Sequence, residues 1–147
     1  MMRSCTFIIH GPPVGEGRPR AVRVGPRVRM HAAPKSAEWR ALAAAQMRRE
    51  YTAEPIAETV RVSIVAMMPR PKSRPSNISS SAWRDGGPVS RSQKPDVDNI
   101  AKAALDALVE GGVIVDDTQV VELYVSRMMC GTTGSPQGSL SIVVEVM

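Results

Sequence analysis

The chain has 147 residues, is 43% hydrophobic and carries a formal net charge of +5. That length and apolar content predict a single domain over residues 1–147. No apolar run reaches the roughly 18 residues of a membrane span. We therefore expect no membrane partner. The two cysteines, Cys5 and Cys130, form no CxxC motif, so we expect neither a zinc site nor a disulfide framework. Both expectations fit a cytoplasmic location.

The chain opens with extended segments. Residues 5–11 are apolar and end in a Gly-Pro-Pro turn, which predicts a short strand. Residues 17–30 alternate Arg with Val, Pro and Gly. Because Pro is excluded from central strands, this pattern predicts an extended arm or an edge hairpin.

A helix and a strand follow the arm. Ser36 is the predicted N-cap of a helix over about residues 37–51, with Trp39, Leu42 and Met47 on its apolar face. The alternation of apolar residues over residues 58–69 predicts a strand.

Residues 69–95 are rich in Pro, Ser, Gly, Arg and Lys and show no apolar periodicity. Loops of this length are functional or disordered, so we predict a long, basic, flexible loop. A helix over about residues 97–110 follows, and Gly111 and Gly112 end it. Its apolar stripe predicts packing on a sheet.

The C-terminal part reads as two strands, over residues 118–129 and 139–147, with a turn at 131–138. We expect hairpin-like pairing there. Taken together, the elements predict an α+β fold, with a mixed sheet of about four to five strands and two main helices packed on it.

Charge divides the chain into two parts. Residues 1–95 carry 17 Lys and Arg against 6 Asp and Glu, whereas residues 96–147 carry 2 against 8. A basic surface attracts polyanions such as nucleic acid. The alternative is that these charges only keep the protein in solution.

The acidic part places carboxylates at both ends of the second helix. Asp96 directly precedes the helix and Asp98 lies in its first turn, whereas Asp116 and Asp117 follow its end. One interpretation is structural: Asp96 caps the helix, and Asp98, Lys102 and Asp106 form a surface ion-pair ladder. The other is that the chain folds back so that Asp117 returns to the helix N-terminus. Three carboxylates would then meet and hold Mg²⁺, as in metal-dependent phosphodiester cleavage.

Residues 94–123 read KPDVDNIAKAALDALVEGGVIVDDTQVVEL. This segment resembles the core signature of the RusA-type Holliday-junction resolvases, endonucleases often encoded by phages. The signature is an Asp-x-Asp-Asn followed by Lys, by Asp-Ala-Leu and by Asp-Asp-x-Gln-Val. The matching positions are Asp96, Asp98, Asn99, Lys102, Asp106, Ala107, Leu108, Asp116, Asp117, Gln119 and Val120. The N-terminal residues 7–20 are similar to the family more weakly.

The resemblance implies a homodimeric, Mg²⁺-dependent endodeoxyribonuclease that resolves four-way DNA junctions by paired cuts, with Mn²⁺ as a substitute metal. By resemblance, Asp96, Asp98 and Asp117 are the catalytic and metal-binding carboxylates, Lys102 is the essential lysine, and Asp116 is a further candidate ligand. Two alternatives stay open. One is a nuclease for other branched or flap DNA, and the other is a non-catalytic DNA-binding module.

The basic residues of the arm and the loop are the candidate DNA contacts, because phosphate contacts come largely from Arg and Lys. They are Arg18, Arg20, Arg23, Arg27, Arg29, Lys72, Arg74 and Lys94.

Overall fold

In this computed structural model, all residues are described except 1–2, 18–19, 32–33, 88, 90–92, 133 and 135. The strands are β1 (Ser4–His10), β2 (Arg20–Val24), β3 (Arg27–His31), β4 (Val60–Met68), β5 (Val120–Met129) and β6 (Ser139–Val146). The helices are α1 (Pro34–Glu50), α2 (Ser80–Asp85) and α3 (Val97–Glu110), and a short 3-10 helix (Asp117–Gln119) precedes β5. The α+β class and the two main helices, α1 and α3, are confirmed. None of the helices in the described ranges is long and apolar enough to cross a membrane.

Four strands form the main sheet in the order β1-β6-β4-β5, and β2 and β3 form a separate hairpin. β6 is antiparallel to β1 and β4, whereas β4 and β5 are parallel. Parallel neighbours need a crossover connection, and the segment containing α3 supplies it. The expected hairpin-like pairing of the last two strands is therefore wrong, since β4 lies between them.

The core lies between one face of the sheet and the two main helices. Alternate residues of β4 are buried, and α3 buries Ile100, Ala104, Ala107 and Leu108 against them. Burial of an aliphatic side chain stabilises by roughly 1.5–3 kcal/mol. This layer therefore fixes the position of α3, whose predicted boundaries are confirmed.

The start of α1 differs from the prediction. The helix begins at Pro34, a residue suited to the first turn because that turn needs no N–H from it. Ser36 is not the N-cap but a buried residue inside the helix. Its hydroxyl donates to the Gly15 carbonyl (3.0 Å) and accepts from the Gly17 N–H (2.7 Å), so it attaches the residues before the hairpin to α1.

The buried face of α1 also differs. Leu42 is 65% exposed, while Ala43, Ala44 and Met47 are buried. Small side chains let α1 approach α3 closely. Because alanine is only weakly hydrophobic, the buried face of α1 is hard to recognise in the sequence. Trp39 packs at the edge of the core, as predicted.

The basic segment 69–95 contains α2, which the sequence did not predict. The Ser79 hydroxyl caps this helix by accepting from the Ala82 N–H (3.1 Å). Arg70 lies 3.9 Å from the centre of the Trp83 ring. Its Nη1 donates to the carbonyls of Trp83 (2.5 Å) and Cys130 (3.2 Å), which ties α2 to the end of β5.

Candidate active site

The N-terminus of α3 carries the first two candidate carboxylates. Asp96 occupies the N-cap position, as expected, but its side chain makes no capping hydrogen bond. The Lys94 ammonium instead contacts both carboxylate oxygens, at 2.9 and 2.8 Å. The hydrogen bond from Lys94 is the main cause that lowers the pKa of Asp96, and the positive charge of Arg127 adds to it.

Arg127 on β5 holds the entry to this helix. Its Nη1 donates to the carbonyls of Gln93 (2.6 Å) and Pro95 (3.0 Å). Sequence reasoning gave Arg127 no role. A signal was present, because Arg127 and Lys102 are the two cations in the otherwise acidic residues 96–147.

Asp98 and Lys102 lie exposed on α3, one helical turn apart. The expected ion-pair ladder is wrong: within the described residues no salt bridge joins Asp98, Lys102 and Asp106. Asp106 lies instead 3.9 Å from Arg40. Within these ranges neither Asp98 nor Lys102 has an ion-pair partner, so both charges are available to a ligand.

The second acidic pair sits in a turn held by Gln119. Its Oε1 accepts from the N–H groups of Val115 (2.7 Å) and Asp116 (2.8 Å). Its Nε2 donates to the carbonyls of Ile56 (2.8 Å) and Glu58 (2.7 Å). The two Oε1 bonds close the turn, and the two Nε2 bonds fix it to the region before β4.

Asp116 has a structural contact within this turn. Its Oδ1 accepts from the Thr118 N–H at 2.8 Å, and the hydrogen bonds from Thr118 are the main cause that lowers the pKa of Asp116. Asp117 has the opposite shift: its pKa is raised, mainly by its hydrogen-bonded neighbour Asp116, then by desolvation and by the negative charges of Asp116 and Asp106.

Asp117 does not return to the N-terminus of α3. It lies at the other half of the helix, in an open cleft of about 380 Å³ lined by Arg40, Asp106, Val109, Glu110, Asp116 and Asp117. In the part of the chain that the structure describes, no three His, Cys, Asp or Glu side chains gather closely enough to hold a metal ion. Asp96 and Asp98 therefore lie together at the N-terminus of α3, and Asp117 lies near Asp106 in the cleft. The structure does not bring these two groups of carboxylates together.

Arg40 lines the cleft that holds Asp117, and the sequence did not predict a role for it. Its guanidinium contacts Glu110 at 3.1 Å and Glu16 at 3.3 Å, besides Asp106. Nothing in the local sequence marks Arg40, since its partners come from two distant segments, Glu16 before the hairpin and Asp106 and Glu110 on α3.

A basic cleft adjoins the N-terminus of α3. Its volume is about 500 Å³, and Lys35, Ser36, Gln93 and Lys94 line it together with several prolines and glycines. One wall is the segment before the hairpin, where the Glu16 N–H donates to the Asn99 carbonyl at 3.0 Å. A Cβ on Gly15 would lie 2.6 Å from the Pro95 Cβ, so only glycine permits this close approach.

The hairpin β2–β3 extends from that wall. Residues 21–30 are all exposed, including Arg23, Arg27 and Arg29. Arg18 lies outside the described residues, and of Arg20 only the backbone is described. In the segment 69–95, Lys72 and Arg74 are exposed, and Arg74 donates to the Ile78 carbonyl at 2.8 Å.

Comparison with known proteins identifies the family. The family model described as Endodeoxyribonuclease RusA matches residues 10–144, which include all the candidate residues above. The protein named Uncharacterized protein YqaN, of Bacillus subtilis (strain 168), is 35% identical over 124 residues, which cover 82% of this chain and 84% of that protein. The chain belongs to the RusA endodeoxyribonuclease family, whose members are hydrolases that act on DNA.

Proposed function

We propose that the chain is a divalent-metal-dependent endodeoxyribonuclease that resolves four-way DNA junctions by paired cuts. The observation that carries this proposal is the exposed pair Asp98 and Lys102 on the first turns of α3, within the family-matched segment. A helix N-terminus favours anions, because its free N–H groups and dipole present positive charge. A DNA phosphate approaching there meets the Lys102 ammonium and a carboxylate together.

Asp96, Asp98 and Asp117 are the proposed catalytic carboxylates, and Mg²⁺ is the proposed cofactor, replaceable by Mn²⁺. Asp116 is a further candidate ligand. Carboxylate oxygens are the donor type that these cations prefer, and a bound cation supplies activation of water and stabilisation of the leaving oxygen. A single copy does not fit such an ion, because Asp117 is separated from the other two.

Two lysines have separate proposed roles at α3. Lys102 binds a phosphate oxygen and offsets the negative charge that develops on it during cleavage. Lys94, whose side chain is 72% exposed, neutralises Asp96 in the free protein. An arriving phosphate competes for Lys94, and this frees the Asp96 carboxylate.

The proposed DNA path runs from the basic cleft onto the hairpin. The cleft offers Lys35 and Lys94, and the hairpin offers Arg23, Arg27 and Arg29. Arg18 and Arg20 remain proposed DNA contacts from the sequence. Lys72 and Arg74 extend the basic surface on the segment 69–95. These groups contribute sequence-independent affinity, as expected of a protein that recognises the shape of its DNA.

A homodimer is part of the proposal. A four-way junction is close to two-fold symmetric, and two identical active sites related by a two-fold axis would cut two strands at equivalent points.

The test is cleavage of end-labelled synthetic DNAs: a four-way junction, a linear duplex of the same sequence, and a flap. We expect symmetric cuts in the junction with Mg²⁺ or Mn²⁺ and none in EDTA, with the duplex uncut. Preference for the flap would assign another branched substrate. Tight junction binding without any cleavage would make the chain a DNA-binding module.

A further inference from the structure

The hairpin β2–β3 exposes apolar side chains on both of its strands. Val22 and Val24 on β2 are 41 and 49% exposed, and Val28 and Met30 on β3 are 66 and 63% exposed. Within the described residues, no backbone hydrogen bond joins residues 21–30 to another element. Apolar side chains gathered outside the core mark a contact surface, so we expect a partner to cover the hairpin.

The strand register places these side chains on both faces of the hairpin. Residues that pair directly across an antiparallel ladder lie on the same face, and successive residues of a strand lie on opposite faces. Each face therefore combines an apolar row on one strand with arginine on the other. The first face holds Val22, Val24, Arg27 and Arg29, and the second holds Ala21, Arg23, Val28 and Met30.

This two-sided chemistry indicates what the partner is. An antiparallel ribbon that packs on protein has one apolar face and one polar face, whereas this hairpin has the same mixture on both. Residues 17–37 contain no Asp or Glu, so the partner is anionic as well as apolar. Nucleic acid has both properties, because its backbone carries phosphates and the flat faces of its bases stack on apolar groups. Inside a duplex those faces are covered by the neighbouring base pairs, so the hairpin matches DNA whose stacking is interrupted.

We propose that the hairpin β2–β3 is a wedge that inserts at the branch point of the DNA, between the last base pairs of two adjacent arms. Its two apolar rows cover the faces of those base pairs, and its arginines bind the flanking phosphates. This inference rests on the proposed action on branched DNA. Insertion of apolar side chains between base pairs costs unstacking energy, and this cost is smallest where stacking is already interrupted.

The hairpin has a narrow tip and a thicker body. Gly25 and Pro26 alone connect β2 to β3, and Gly25 has a φ of +61°, which tight hairpin turns require at their first central position. No side chain therefore widens the tip at Gly25. Sheets covered on their faces lie about 10 Å apart, whereas successive bases of one DNA strand are only about 3.4 Å apart. The two arms must therefore separate by more than one base step to admit the hairpin.

The root of the hairpin is anchored beside the candidate active site. The Ser36 hydroxyl on α1 accepts from the Gly17 N–H, and the Glu16 N–H donates to the Asn99 carbonyl on α3 at 3.0 Å. β2 begins three residues after Gly17, a distance of at most about 11 Å along an extended chain. A branch point held by the hairpin is therefore close to the first turn of α3.

Fluorescence of 2-aminopurine measures this insertion, because the base becomes brighter when it is unstacked. The probe is placed at the branch point of a synthetic four-way junction, and in the middle of one arm of a second junction. Binding is measured in EDTA so that the DNA stays intact. At saturating wild-type protein, we expect the branch-point signal to rise several-fold and the mid-arm signal to stay constant. An equal rise at both positions would overturn insertion at the branch point.

A variant without the apolar rows tests the role of the hairpin itself. The four substitutions are Val22→Thr, Val24→Thr, Val28→Thr and Met30→Gln, which keep every arginine and the approximate side-chain size, and threonine keeps the preference for strands. At saturation, verified by fluorescence anisotropy, this fourfold variant should lose most of the branch-point signal. Leu42→Gln, which changes a side chain on α1 that is 65% exposed, is the matched control and should keep it. A full signal from the fourfold variant would overturn the wedge.

Each row should contribute by itself, because the wedge contacts two arms. Val22→Thr/Val24→Thr and Val28→Thr/Met30→Gln should therefore each lose part of the signal. Loss from only one of the two would show a one-sided contact and overturn insertion between two arms. Analytical ultracentrifugation without DNA should give the fourfold variant the same mass as the wild type. A different mass would show that a second copy covers the rows, which would also overturn the wedge.

Cleavage of the same junction in Mg²⁺ or Mn²⁺ separates this inference from the proposed function. A branch-point signal without cleavage would overturn the nuclease proposal and support the wedge. Cleavage by a wild type that leaves the branch-point signal unchanged on binding would support the nuclease proposal and overturn the wedge. Absence of junction binding would overturn both.

Discussion

Two aspartates of the same motif have opposite electrostatic surroundings. Asp96 is paired with Lys94, and its pKa is lowered. Asp117 is beside Asp116 and near Asp106, and its pKa is raised. In the metal-free protein, the surroundings therefore stabilise the anionic form of the first carboxylate and destabilise the anionic form of the second.

This difference predicts opposite effects of two isosteric substitutions on stability. Asp117 contributes stability that is present below its reference pKa of 3.8 and is lost as the pH rises through its raised pKa. Asp96 contributes stability that is present above 3.8 and is lost as the pH falls through its lowered pKa. At about pH 7 and low ionic strength, Asp117→Asn should raise the melting temperature and Asp96→Asn should lower it slightly.

Circular-dichroism melting in EDTA from about pH 3 to pH 7 measures both effects, and they should shrink in salt. A lower melting temperature for Asp117→Asn near neutral pH would show that its carboxylate makes a stabilising contact, and the repulsion described above would be wrong.

At the same scale, Asp98→Asn separates catalysis from binding. The substitution keeps the side-chain shape but removes one charge, so the junction should bind with equal or higher affinity while cleavage is lost. The matched control is Glu54→Gln, which changes an exposed carboxylate outside the acidic segments. Cleavage at the wild-type rate by Asp98→Asn in Mg²⁺ would remove this residue from the active site.

At the scale of elements, the hairpin β2–β3 is set apart from the main sheet. An isolated two-stranded hairpin is marginally stable in water, and this one exposes Val22, Val24, Val28 and Met30 as well as its arginines. The major groove of DNA is wide enough for a two-stranded ribbon. We therefore expect the hairpin to contact DNA.

Replacing Arg27 and Arg29 with Ala should weaken junction binding and make its salt dependence shallower. Each lost phosphate contact removes about 0.9 from the slope of log affinity against log salt. Fluorescence anisotropy at several salt concentrations measures the slope. Arg49→Ala, which changes an exposed arginine of α1, is the control, and an equal change in both variants would show that net charge, not the hairpin, sets the slope.

Local signals explain which elements were predictable. α3 was predicted with its observed boundaries, because Pro95 precedes it, Gly111 and Gly112 follow it, and its apolar stripe is strong. α2 was missed because its six residues lie among Ser, Pro and Gly and bury none of its side chains. The pairing of β5 with β4 was missed because it depends on a crossover between distant segments, which local patterns do not report.

At the scale of the whole molecule, the two charge regions meet at the N-terminus of α3. The basic cleft adjoins this helix and takes much of its wall from residues 12–17 and 35–36 of the N-terminal part, and the acidic residues belong to the C-terminal part. The motif identifies the candidate carboxylates, but it does not predict their separation. The spacing of residues in the sequence predicts where Asp98 and Asp106 lie along α3. The distance from Asp98 to Asp117 depends instead on the hydrogen bonds by which Gln119 attaches the acidic turn to the region before β4.

A supercoiled plasmid that extrudes a cruciform tests the central claim most directly, because it contains one four-way junction in otherwise ordinary duplex. Two paired cuts across that junction convert the plasmid to the linear form, whereas a single cut leaves a nicked circle. We predict linear product with Mg²⁺, none in EDTA, and none from the same plasmid after relaxation has removed the cruciform. Equal cutting of the relaxed plasmid, or cutting in EDTA, would contradict the account of this chain as a metal-dependent, dimeric junction resolvase.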